Sequence, residues 1–274
     1  MKYAFMSSSC PQWTFEQMLA GAAQYGYAGV ELRVGWGHKF NIDGNTSADD
    51  RAQARHKAEA SGIAICCIST GAKTSDSATA KLADEEVTTA INIAHDLGSP
   101  YVRVFGGMFP NTITRTQAMA SVITNLGRLA EVAAKKRVTL VLETHDAWCD
   151  PHHVAEILWR VSHPNLMCNW DYQHTSRVAK VSVDEAFGAI KPFIRHVHFH
   201  DGTMDADKLV FLPIGQGAYD HKRVLQLLRG MNYDGFISGE WIINCWADPA
   251  DNAPEVHLPR EIAAIKAIEA AIGG

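Results

Sequence analysis

Cysteine is scarce in this sequence: six in 274 residues, with Cys66 and Cys67 adjacent inside an apolar run. No CxxC pair and no Cys/His spacing suited to zinc occurs. That excludes a disulfide scaffold and a structural zinc module, and leaves buried, reduced thiols of the kind expected in a cytoplasmic protein. Positive charge is also short. Twenty-five Lys and Arg face 30 Asp and Glu, a formal net charge of −5, whereas a general DNA or RNA binder carries a basic excess. No apolar run approaches the ~18 residues of a membrane span. The opening Met1-Lys2-Tyr3-Ala4-Phe5, followed by Ser7-Ser8-Ser9, has too short an apolar stretch for a secretory signal. Neither GxGxxG nor GxxxxGK[ST] follows any apolar run, so the usual nucleotide fingerprints are missing. What is abundant is apolar material, 47% of residues against 20% charged, enough for a large core.

That apolar material is punctuated regularly. Candidate strands are 3–8, 29–34, 63–70, 101–106, 139–145, 166–171, 194–201 and 236–241, recurring about every 34 residues, the length of one strand-plus-helix unit. Between them lie helical periods. In 116–136, Met119, Val122, Ile123, Leu126, Leu129, Ala130 and Ala133 follow the i, i+3, i+4, i+7 rule, as do Val87, Ile91, Ala94 and Leu97 in the preceding segment. Thr14 and Asp150 suit helix N-caps, and Gly62, Gly98 and Gly235 stand where a helix hands over to a strand. Eight such units without a break in composition predict an α/β chain folded as a single (β/α)8 TIM barrel, residues 1–274 forming one domain. A doubly wound open sheet is the alternative.

The interior of such a barrel is filled by branched apolar residues, and an unpaired carboxylate there costs several kcal/mol. Yet the late strands end in acids and imidazoles: Leu140-Val141-Leu142-Glu143-Thr144-His145, then Asn169-Trp170-Asp171 followed by His174, then His196-Val197-His198-Phe199-His200-Asp201, and finally Gly239-Glu240-Trp241. All lie at the C-terminal strand ends, where barrel enzymes keep their active sites. Any one of them read alone is a satisfied buried polar residue. Two Glu, one Asp and one His on neighbouring strand ends can converge on one point, however, and their mutual repulsion then calls for a cation. This oxygen-rich set suits Mn²⁺ or Mg²⁺, with Co²⁺, Fe²⁺ or Zn²⁺ as alternatives.

At these residues the chain resembles the xylose isomerase-like TIM barrel superfamily of sugar isomerases, epimerases and related lyases. The resemblance runs through Gly29-Val30-Glu31-Leu32, Arg103-Val104-Phe105-Gly106-Gly107, Leu142-Glu143-Thr144-His145, Asp171-Tyr172-Gln173-His174, His198-Phe199-His200-Asp201, Ile214-Gly215-Gln216-Gly217 and Gly239-Glu240-Trp241. It implies Glu143, Asp171, His198 and Glu240 as metal ligands, with His198 preferred because it stands three residues before an acid. His196 would lie one layer deeper, and His200 would face the pocket mouth. It further implies that Glu143 and Glu240 shuttle a proton through a metal-stabilised cis-enediolate of a keto- or aldo-sugar.

His145, His174 and Arg103 are candidates for hydrogen-bonding the substrate, Arg103 having a barrel-interior pair with Glu31 as its other reading. Trp13, Trp36, Trp241 and Trp246 are candidates for apolar walls, and segments 35–50 and 244–259 for lids. Position 204, where the D-tagatose 3-epimerase group carries an arginine, is Met204. A metal-dependent lyase or dehydratase acting on a keto-sugar, keto-inositol or 3-dehydroshikimate-type substrate is the competing reading, and a non-catalytic metal-binding barrel a third. The expected partner is a small-molecule carbohydrate, unphosphorylated because no Gly- or Lys-rich phosphate cradle occurs; no nucleic acid and no membrane is expected, and self-association into a homo-oligomer stays open.

Overall fold

Fixed signals set the helix starts. Thr14 accepts from the Gln17 amide while the Gln17 side chain accepts from the Thr14 amide, a reciprocal cap that opens α1 (Phe15–Tyr25). Thr114 and Gln117 repeat it at α4 (Arg115–Lys135), and Asp150 caps α5 (Pro151–Val161), which has proline in its first turn. Gly62 and Gly98 take left-handed backbone at the ends of α2 (Ala48–Ser61) and α3 (Ala80–Leu97). The computed structural model describes residues 1–76, 78–205 and 208–272.

The strands are β1 (Lys2–Met6), β2 (Gly29–Arg33), β3 (Ala64–Lys73), β4 (Tyr101–Phe105), β5 (Thr139–Glu143), β6 (Leu166–Asp171), β7 (Ile194–Phe199) and β10 (Phe236–Gly239). They close a parallel barrel in the order β1-β10-β7-β6-β5-β4-β3-β2. Helices α6 (Tyr172–Arg177), α7 (Val183–Ile190), α8 (His221–Gly230) and α9 (Pro254–Ile272) complete the outer layer. The expected (β/α)8 barrel is what forms, in place of an open sheet.

Period-two alternation divides the strand residues. Val30, Leu32, Val102, Val104, Leu140 and Leu142 are fully buried in the large cluster that joins strands to helices. Ala4, Cys66, Cys67 and Val141 form a second, small cluster that fills the lower barrel interior. Above it the inward positions turn polar, and that switch creates the site.

Two expectations need correction, and one element is additional. Several strands stop sooner than the apolar runs suggest, because Ser7–Ser9 turns into a 3-10 helix and His200 and Asp201 leave the sheet after β7. An antiparallel hairpin, β8 (Gly202–Asp205) with β9 (Lys208–Phe211), follows β7 and had no clear sequence signal. The proposed lid over 244–259 is largely ordered as the 3-10 turn Pro249–Asn252 and the start of α9.

Candidate metal centre and active site

Register assembles the centre. Across β6 and β7, Asp171 lies opposite His198, and His198 lies opposite Ser238 on β10, two residues short of Glu240. Glu143 ends β5 opposite Asn169. Glu143, Asp171, His198 and Glu240 each present an atom within 4.8 Å of the others. Three of them are fully buried, and the Glu240 side chain is 12% exposed. Gly239 fixes the approach to Glu240, since a Cβ there would overlap the Trp241 ring.

The donor set fits a cation. Both Glu143 carboxylate oxygens, Asp171 Oδ2 and His198 Nδ1 are buried without a hydrogen-bond partner, a cost a protein does not carry idly. Four carboxyls gather here, those of Glu31, Glu143, Asp171 and Glu240. Arg103 is the permanent cation in contact with them, its Nε 3.1 Å from Glu143. Burial and the neighbouring Glu143 and Glu240 push the Asp171 carboxyl up to about 7. His198 sits between acids, with Nδ1 3.1 Å from Glu240 and 3.4 Å from Glu143, and Nε2 3.1 Å from Glu31. Burial opposes its charge, but Glu31, Glu240 and Glu143 outweigh that and hold the imidazole well above its usual range. Burial likewise opposes ionisation of Glu240, and His198 overrides it and holds the carboxyl below the usual range. A divalent ion on Nδ1 would replace that proton and balance the remaining acids.

Glu31 has partners that its sequence surroundings do not announce. It was a potential partner for Arg103; instead Arg103 takes Glu143. Glu31 accepts from His196 Nε2 at 2.8 Å, from His198 Nε2 and from Ser69 Oγ. A carboxylate on the far nitrogen of a ligating imidazole fixes its tautomer and orientation. His196 lies one layer below His198, as expected.

A row of imidazoles flanks the centre. His145 and His174 rings are 4.3 Å apart, and His174 and His200 are 6.3 Å apart. His145 Nδ1 is 3.0 Å from Asp146; burial opposes its charge, but the Asp146 hydrogen bond and Glu143 raise its affinity for a proton. His174 is driven the other way, well below its usual range, by burial, His145 and Arg177. Arg177 donates to His174 Nδ1 at 3.0 Å, which leaves the proton on Nε2, 3.6 Å from Asp171 Oδ2. His200 is buried against the Phe211 and Tyr219 rings rather than open to the mouth, and burial pushes its pKa down to about 3. An arginine does reach Met204, but from α6: Arg177 lies 3.5 Å from its sulfur.

The tryptophans divide. Trp36 is 54% exposed on the loop after β2. Trp241 is fully buried and stacks on Trp246, with His257 beneath both. Trp13 packs on Gly21 of α1 and donates to Glu255. Asp201 organises the rim. Its carboxylate accepts from the Gly202, Gly215 and Gly217 amides and contacts His221, and a Cβ at Gly217 would overlap it.

Fold and site thus define a closed parallel barrel with a carboxylate–imidazole centre at its C-terminal mouth. The chain belongs to the xylose isomerase-like TIM barrel family, whose sequence profile matches residues 19–267. An uncharacterised protein of Methanocaldococcus jannaschii, MJ1311, is 27% identical over 168 residues, which cover 58% of this chain and 57% of that protein. Among solved structures, L-ribulose 3-epimerase superimposes with a TM-score of 0.81 at 17% identity, covering 100% of this chain and 96% of that one. The probable 3-DHS dehydratase AsbF from Bacillus anthracis gives 0.80 at 21% identity, covering 97% and 99%. At these identities the likeness is one of fold. Among the described residues no helix is long and apolar enough to cross a membrane.

Proposed function

We propose that the chain, acting as one domain over residues 1–274, is a divalent-metal-dependent sugar isomerase or epimerase. The observation that carries this reading is the convergence of Glu143, Asp171, His198 and Glu240 within 4.8 Å, with buried oxygens left unpartnered. These four would hold the ion, Mn²⁺ or Mg²⁺ by the preponderance of oxygen donors. When bound it would supply Lewis-acid polarisation of two neighbouring oxygens on a carbohydrate.

The protein's own groups do the rest. Glu143 and Glu240 come from β5 and from just beyond β10, separated around the barrel by β6 and β7, so they approach a substrate carbon from different sides. One removes the proton and the other returns it, a role worth ~10²–10⁴ in rate. Arg103 holds Glu143 in place through its 3.1 Å ion pair. His174, neutral with its proton on Nε2, donates a hydrogen bond to a substrate oxygen.

One observation favours the lyase as second reading. His145, whose hold on a proton the Asp146 hydrogen bond strengthens against burial, would protonate a departing hydroxyl, and AsbF, a probable dehydratase, shares the fold. A carbohydrate panel incubated in D₂O with Mn²⁺ separates the two. Deuterium entering at carbon without loss of water supports the isomerase or epimerase; elimination of water transfers the assignment to the lyase. Neither, with Mn²⁺ bound, leaves a metal-binding barrel without turnover.

A further inference from the structure

The early strands bring a second arginine to the mouth. Arg33 ends β2 opposite Ser69 of β3, and Ser69 lies opposite Arg103 of β4. Residues paired across a parallel sheet share a face, so Arg33 and Arg103 both point to the barrel axis from one rung. Their surroundings differ. Arg103 is engaged by an ion pair with Glu143, by the Thr70 carbonyl at 2.7 Å and by the Phe105 ring, though its Nε and NH2 are, like Arg33 Nε, buried without a hydrogen bond. Arg33 has no such acceptor. Its Nε is buried without a hydrogen-bond partner, and among the described residues no carboxylate comes within 4.0 Å of its guanidinium. What holds it is Trp36, whose ring lies 3.6 Å from the guanidinium carbon.

A half-buried guanidinium lacking an acceptor is costly unless an anion meets it. The acids that act on Arg33 through space, Glu240, Glu143 and Glu31, are committed elsewhere: Glu143 to Arg103 and His198, Glu240 to His198, Glu31 to both histidines and Ser69. An anion that meets the guanidinium would therefore arrive with the ligand. Stacking on Trp36 closes one face of the planar fork and leaves its edge, the geometry that receives two coplanar oxygens. The fork takes phosphate as well, but phosphate sites commonly add a nest of backbone amides, and the amide cluster at this rim, Gly202, Gly215 and Gly217, is already filled by Asp201.

We propose that Arg33, steadied by Trp36 and facing the same mouth as Glu143 and Glu240, binds a carboxylate on the substrate, which is then a sugar acid or other carboxylated polyol. This rests on the reading of the site as a metal centre for polyols and narrows its substrate class.

The test uses unreactive probes on the full-length, Mn²⁺-loaded chain: calorimetric titration with D-gluconate, its neutral counterpart D-glucitol, and D-glucitol 6-phosphate. Gluconate should bind about tenfold or more tighter than glucitol, the size expected for a hydrogen-bonded charge pair. Arg33→Met should reduce that preference to less than about twofold while leaving Mn²⁺ stoichiometry and glucitol affinity unchanged. Arg33→Lys, which keeps the charge and loses the fork, should fall between and guards against a misfolded Met variant. Equal affinity of gluconate and glucitol for the wild type, or a preference that survives Arg33→Met, overturns the proposal. Preference for the phosphate ester overturns the carboxylate assignment. If the chain binds no Mn²⁺, the metal-enzyme reading falls, and the same titrations on the metal-free chain still judge Arg33: a gluconate preference lost in Arg33→Met upholds it, and no preference sinks it.

Discussion

The two halves of the barrel mouth carry opposite charge. β2 and β4 present Arg33 and Arg103, while β5, β6, β7 and the residue after β10 present Glu143, Asp171, His198 and Glu240. A parallel barrel projects each strand end toward the same axis, so contiguous strands gather the acids on one arc, and under the proposed reading the opposite arc would engage the organic part of a ligand. Contacts cross the divide: Arg103 meets Glu143, and Glu31 of β2 meets both His196 and His198 of β7. The early half therefore contributes both counter-charge and the orientation of the imidazole on which the late half depends.

The comparison breaks most sharply at Glu31. Glu31→Ala leaves His196 and His198 buried without their shared carboxylate, and we expect the metal-free protein to lose about 3–5 kcal/mol in urea unfolding. A loss under about 1 kcal/mol would mean that the halves are energetically independent. Next come the acids of the late half. Glu143→Gln and Glu240→Gln should each stay folded and lose ~10²-fold or more in rate at saturating Mn²⁺, because an amide cannot act as the base. Full rescue by excess metal would reduce both to ligands, and loss at one position alone would point to an isomerase or lyase rather than an epimerase.

A smaller effect sharpens the contrast by pH. His257, beneath Trp241 and Trp246, has its pKa lowered to about 4, chiefly by burial. The unfolded chain takes up that proton from about pH 6.5 downward while the folded chain resists it. Its contribution to stability is thus complete above about pH 6.5 and is lost as pH falls toward 4, at about 1.4 kcal/mol per pH unit. Wild type should lose that much more than His257→Gln between pH 6.5 and 5 in denaturant titrations; parallel curves would remove the assignment. The smallest change belongs to the outer layer. Thr114→Ala removes the α4 cap at a cost of about 1 kcal/mol, and Mn²⁺ affinity should not move, whereas a shift in affinity would show that helix ends tune the centre.

Much of this architecture was legible in the chain. Acids closing apolar runs stand out because their burial is expensive, so Glu143, Asp171 and Glu240 are legible as a group, while the choice of His198 over His196 and His200 came only from the family resemblance. Strand existence was equally plain, since eight apolar runs at a repeating interval allow few arrangements. What escaped was pairwise and long-range. Glu31 and His196 are 165 residues apart, and nothing local in Gly29-Val30-Glu31-Leu32 tells which imidazole it will meet. The missing acceptor of Arg33 is a property of its neighbours, and the hairpin after β7 lacks the short turn signal that marks most hairpins. Trp241 was a candidate wall for a ligand, yet only packing reveals that it lies under Trp246 with no open face.

The pairing of β1 with β10 has a consequence in time. Lys2, Tyr3, Ala4 and Phe5 find their partners in Phe236, Ile237, Ser238 and Gly239, and Tyr3 donates to Glu269 of α9 at 2.7 Å. A ribosome delivers those partners about 230 residues after the first strand, on the order of 10–50 s later at ordinary elongation rates. Throughout that interval β1 has one bare edge, and the growing end of the sheet has another, each able to recruit a strand from a neighbouring nascent chain. The seam that makes the finished barrel edgeless is therefore also the last place where its synthesis can go wrong.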